Sequence, residues 1–197
     1  MKSFIHLTLA GLIIHLVLFT GNIRSEQTQQ ERVCTVASAD LSELTFEVFD
    51  QGLDSPLSWR CIALQGDFEG ARELIDKYQE INQPGLEPYM IQALNFHSGQ
   101  LAAMDGKYED AIGKFHQALD DNNEAADYLS WNEYVSGTIY FLQGDIEKLE
   151  REIEKIESGN LEMDGANLRI LKSYLRCPDE TYKEVYSRTS SCLNARN

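Results

Sequence analysis

The chain has 197 residues, 43% of them hydrophobic, which suffices for one domain with a sizeable core and gives no sign of a second. Asp and Glu number 32 against 17 Lys and Arg, a formal net charge of −15. Nucleic acid and an anionic membrane surface would both repel such a chain, so neither is an expected partner. A charged partner would be basic, although a solvated acidic shell accounts for the charge equally well.

Met1-Lys2 precede an almost wholly apolar run from Phe4 to Thr20, and Gly21 to Glu26 form a polar boundary. A short basic start, an apolar run and a small residue near that boundary describe a secretory signal peptide over residues 1–25, with cleavage expected at Ile23-Arg24-Ser25. The competing reading, a retained anchor, needs a longer run, since a spanning helix takes about 20 residues. Export places the mature chain in a periplasm or outside the cell, with no membrane insertion after cleavage. It also removes Lys2 and Arg24 and no acid, leaving the chain more acidic still. Residues 26–37 open with the polar, aperiodic EQTQQER and are expected to be flexible.

Ser38-Ala39-Asp40 is placed to cap a helix from Leu41 to Gln51, stopped by Gly52, that would cover one end of the domain. Repetition then becomes visible. Leu64-Gln65-Gly66-Asp67-Phe68-Glu69, Met104-Asp105-Gly106-Lys107-Tyr108-Glu109 and Leu142-Gln143-Gly144-Asp145-Ile146-Glu147 share one pattern. The glycine permits the left-handed residue that ends a helix, and the acid suits the start of the next. Helix-period stripes follow each turn: Phe68, Ala71, Ile75 and Tyr78; Tyr108, Ala111, Phe115 and Ala118; Ile146, Leu149, Ile153 and Ile156. The glycines lie 40 and 38 residues apart, a spacing typical of stacked helical hairpins. A fourth, degenerate hairpin is expected from Leu161 to Arg176 and Glu180 to Ser187, closing a domain over residues 38–192 with a tail at 193–197.

Cys34, Cys61, Cys177 and Cys192 behind a signal peptide suggest two disulfides. They form no CxxC or Cys/His cluster, so no zinc site is expected. Cys61 and Cys177 would lie in the first and last repeats, too far apart with two repeats at about 10 Å each between them. Cys34–Cys61 and Cys177–Cys192 are therefore the expected pairs, one at each end. The second pair requires the last helix to stop near Ser187 and the tail to fold back, because a straight helix would hold its ends nearly 20 Å apart.

Few residues suggest chemistry. Beyond the signal peptide only His97 and His116 remain, on opposite helices of the central hairpin, with no HExxH and no free thiol expected. The run Asp120-Asp121-Asn122-Asn123-Glu124 lacks the spacing of a calcium loop and reads as a solvated linker. Glu150, Glu152 and Glu154 read as an exposed helix face. No catalytic residue, metal or cofactor is expected, and the chain reads as a non-enzyme.

Gly99, Gly106, Tyr108, Ala111, Phe115 and Ala118 carry a nameable pattern: the stretch resembles a tetratricopeptide repeat. Asn95 stands where that family often has Trp, Asn123 where it often has Pro, and the steps exceed the family's repeat of about 34. The resemblance implies an all-α, TPR-like solenoid of three to four helical hairpins with an extra N-terminal helix. It also implies a concave groove that binds a protein or peptide, lined by Arg60, Phe96, Gln100, Trp131, Tyr134, Thr138 and Phe141. Trp131 and Tyr134 beside Phe96 would form its hot spot; the opposing reading packs them against neighbouring helices, and leaves Arg60 a plain surface charge. Function is then expected to be that of an exported scaffold, adaptor or toxin-neutralising partner. A self-associating envelope component and a glycan-binding or hydrolytic envelope protein are the alternatives.

Overall fold

The structure is a computed structural model and describes residues 33–122, 129–187 and 191–194. Among the described residues all regular structure is helical, without a strand. In chain order the α-helices are α1 (Phe46–Phe49), α2 (Trp59–Leu64), α3 (Phe68–Asn82), α4 (Pro88–Met104) and α5 (Tyr108–Gln117). They continue with α6 (Trp131–Gln143), α7 (Ile146–Gly159), α8 (Gly165–Arg176), α9 (Tyr182–Tyr186) and α10 (Ser191–Asn194).

Three turns organise this order. Gly66, Gly106 and Gly144 have φ of 89°, 76° and 70°, the left-handed region where a Cβ would be strained. After two of them an aspartate starts the next helix: Asp67 accepts from the Gly70 amide at 2.8 Å, and Asp145 from the Lys148 amide at 3.2 Å. At the middle turn Lys107 takes that position, and its ammonium pairs with Asp105 and Glu69 at 2.9 and 3.1 Å.

Each turn brings two helices side by side, α2 with α3, α4 with α5 and α6 with α7. Close approach depends on small residues. A Cβ on Gly99 would lie 2.8 Å from the Phe115 ring, and one on Gly137 would lie 2.8 Å from Leu171. The helices before the turns form one layer with α8, joined by Trp59–His97, Phe96–Tyr134 and Phe141–Tyr174 ring contacts. On the other layer, α3 and α5 exchange the pairs Arg72–Asp110 and Lys114–Asp76.

The N-terminal segment differs from the single helix expected over 41–51. Asp40 caps only a 3-10 turn, Leu41–Glu43; Leu44 and Thr45 are extended, and Thr45 starts the short α1. The buried apolar residues are Leu41, Phe46 and Phe49, and a helix cannot place the first two on one stripe. Ordered structure also begins earlier than residue 38. Val36 is fully buried, and the Thr35 and Val36 amides both donate to Pro56 O, at 2.9 and 3.0 Å. Residues 1–32, with the expected signal peptide, lie outside the described residues.

Both expected disulfides are present, with Cα–Cα distances of 5.6 Å for Cys34–Cys61 and 5.9 Å for Cys177–Cys192. The second forms because α9 is only five residues long. Thr181 and Glu184 cap it reciprocally, and Ser187 is extended, so α10 can turn back beside α8. Arg176 Nε donates to Cys192 O at 2.6 Å, and Leu193, expected in the tail, is buried there.

Candidate functional site: a covered helix face and a buried ion network

The seven residues expected to line a groove are brought to one layer, and six of them are buried. Arg60, Phe96, Trp131, Tyr134, Thr138 and Phe141 are each 6% exposed or less, and only Gln100 is half-buried. The open groove is therefore corrected to a covered face. Phe96 sits 5.1 Å from Phe115, 5.1 Å from Trp131 and 5.3 Å from Tyr134. Trp131 Nε1 donates to Ala118 O at 2.7 Å, and Phe141 stacks on Tyr174 at 4.2 Å. The aromatics pack against neighbouring helices, as the opposing reading had it.

What covers the face is α9. Tyr182, Val185 and Tyr186 are all buried, and the two phenol rings stack at 5.2 Å. The Gln100 amide on α4 donates one N–H to each phenol oxygen, 3.2 Å to Tyr182 and 2.7 Å to Tyr186. Tyr174 of α8 lies 6.0 Å from Tyr182, and Lys183 Nζ stands 5.2 Å above the Phe68 ring. Sequence placed α9 in a degenerate hairpin. Nothing local in Thr181–Ser187 signals that its tyrosines reach back to Gln100.

Beneath this face lies a network that the sequence did not reveal. Asp50, fully buried, accepts from Trp59 Nε1 at 2.9 Å and from His97 Nδ1 at 2.8 Å. Gln51 Nε2 donates to its other oxygen, and Arg60 Nε donates to the Asp50 main-chain oxygen at 2.6 Å. The Arg60 guanidinium lies 4.2 Å over the Trp59 ring, with Nη2 3.4 Å from His97 Nε2. Burial alone would raise the Asp50 pKa, but His97, Arg60 and Trp59 together hold it below its usual value. Burial pushes the His97 imidazole down, with Arg60 acting the same way and Asp50 opposing. The protonation states agree: an ionised Asp50 accepts the Nδ1 proton of a neutral His97, whose Nε2 faces Arg60.

An Asp–His pair suggests proton transfer, but here the second imidazole nitrogen faces the Arg60 guanidinium. The arrangement fixes α2 and α4 to the segment after α1. His116 is exposed on α5, far from this pair in role. Among the described residues no three His, Cys, Asp or Glu groups converge as metal ligands. Asp120 is clamped to the next helix, its amide donating to Asn132 Oδ1 at 2.8 Å and its carbonyl accepting from Asn132 Nδ2 at 2.9 Å. The rest of that run, from Asn123, lies outside the described residues. Glu152 is buried, not exposed, and both its oxygens accept from Lys155 Nζ at 2.9 Å.

The buried groups bound the pH range of stability. Burial raises Tyr134, Tyr174 and Tyr182 well above the usual phenol value of 10.0, and Tyr186 above it as well. Above about pH 10 the unfolded chain releases phenol protons that the native state keeps, so stability falls as pH rises. Below about pH 6.5 the unfolded chain protonates a histidine that the native state keeps neutral, so stability falls as pH drops. Urea midpoints across pH are expected to form a plateau between those limits. A midpoint still climbing past pH 10 would contradict the burial of the phenols.

Among the described residues no helix is long and apolar enough to cross a membrane. No protein-family model matches the chain, and neither a curated protein nor a solved structure matches it.

Proposed function

We propose that the chain is an exported, TPR-like helical-repeat module that binds another protein through the face of α2, α4, α6 and α8, and that it is not an enzyme. The observation that carries this reading is the seating of α9: two tyrosines one turn apart occupy that face, both held by Gln100. A surface that holds one short amphipathic helix has the shape and hydrogen-bonding groups to hold another. Two disulfides suit an oxidising compartment, and a net charge of −15 favours a basic partner.

The test is affinity capture from the compartment of origin, with the mature chain and its Gln100→Ala variant as paired baits. The Gln100 amide holds both phenols of α9, and circular dichroism checks that the variant keeps the helix content of the mature chain. A partner retained by the mature chain and recovered in several-fold different yield by the variant supports the reading. Identical recovery with both baits places the interaction elsewhere, and hydrolysis of an envelope substrate by the pure protein overturns the non-enzyme assignment.

A further inference from the structure

We propose that α9 is a tethered plug whose place a partner's helix takes. The occupant is a short amphipathic helix with tyrosines one turn apart, and the Cys177–Cys192 bridge is the latch that a partner must overcome. This deepens the protein-binding reading and rests on it.

Four observations converge. First, α9 has five residues, far below the length at which a helix holds its shape in water, so the face beneath imposes its conformation. Second, its seat is polar as well as apolar. The Tyr186 hydroxyl lies between Gln100 and Tyr134, and the Tyr182 hydroxyl between Gln100 and Tyr174, so the face offers a partner's helix the same two buried phenol sites.

Third, one edge of the plug borders a cleft of about 290 Å³, lined by Leu64, Phe68, Met104, Lys183 and Tyr186. Its walls mix apolar side chains with Gln65, Lys183 and Ser187, and it lies where Ser187 ends α9. Lys183 already spans it toward the Phe68 ring. A basic residue at that position suits the ring beneath it.

Fourth, the bridged cysteines flank α9 on both sides, 15 residues apart. α10 is anchored as well, through Arg176 to Cys192 O. Closing a loop of this size removes much of the freedom that a released α9 would gain. The bridge therefore favours the closed state by on the order of a hundredfold. It sets a threshold that a weak, non-specific helix does not reach.

Fluorescence anisotropy tests this with a dye-labelled peptide of residues 179–187, and with its control in which both tyrosines are alanine. The mature Cys177→Ser/Cys192→Ser variant is expected to bind the peptide on the order of a hundredfold tighter than the bridged protein does. The control peptide is expected to bind neither. Hydrogen exchange at the α9 amides, read in parallel, is expected to be faster in the variant.

The outcomes separate the two readings. Equal affinity with and without the bridge, or equally protected α9 amides, removes the latch and leaves protein binding standing. A variant whose α9 amides are released but which still ignores the peptide removes the helix receptor itself. Should the double variant unfold, Tyr186→Ser with the bridge intact loosens the plug by another route. Peptide binding no tighter than wild type in that variant overturns the proposal.

Discussion

Asp50→Ala is expected to destabilise the fold by about 3–5 kcal/mol, the cost of leaving a buried cation without its counter-charge. Arg60 is 3% exposed, and the nearest ionised partner in its network is Asp50. The substitution also strips an acceptor from Trp59 Nε1 and His97 Nδ1. A charge left alone in the core costs more than a lost hydrogen bond, so the loss should be large and conditional on Arg60. Arg60→Met in the same chain is expected to recover part of it, because the unpaired cation is then gone. Urea denaturation of the two single variants and the double variant measures the coupling. Simple additivity of the two effects would show that the charges do not stabilise each other.

Phe96→Ala is expected to cost about 3–5 kcal/mol by a different mechanism, the cavity left by a large side chain that its surroundings cannot fill. Phe96 is 1% exposed and touches rings from α5 and α6 as well as His97 within α4. Its neighbours are fixed by other bonds. Trp131 is held by Ala118 O, and Phe115 lies against Gly99, so neither can move in. Phe96→Leu should lose markedly less. Denaturation midpoints read both, and an alanine variant within about 1 kcal/mol of wild type would mean that the aromatic cluster is loosely packed.

The hairpin order was legible because its signals are local. Gly66, Gly106 and Gly144 announce left-handed turns, and the stripes after them have a helical period. The disulfide pairing was legible from the same regularity, since it follows once the hairpins are ordered along the chain. The N-terminal helix misled because Asp40 caps a turn as readily as a helix, and the spacing of Leu41 and Phe46 decides between them.

The site was hidden for a different reason. Periodicity separates a buried stripe from an exposed one only when a helix has one covered side, and α4 has neighbours nearly all round from Ala93 to Met104. Gln100 meets Tyr186 across 86 residues of sequence, and Asp50 meets His97 across 47. No short window contains either pair. Read singly, Arg60 is a surface cation and His97 an idle histidine; together with Asp50 they neutralise and orient one another.

The return of α9 to α4 has a consequence for how the chain folds as it is made. Its tyrosines leave the ribosome 82 and 86 residues after the Gln100 against which they seat. Until those residues emerge, Gln100 and the rings around it stand open to solvent on an otherwise assembled layer. The arrival of α9 is thus registered at this surface: a chain made only as far as α8 exposes the face to any apolar neighbour, and α9 narrows that access.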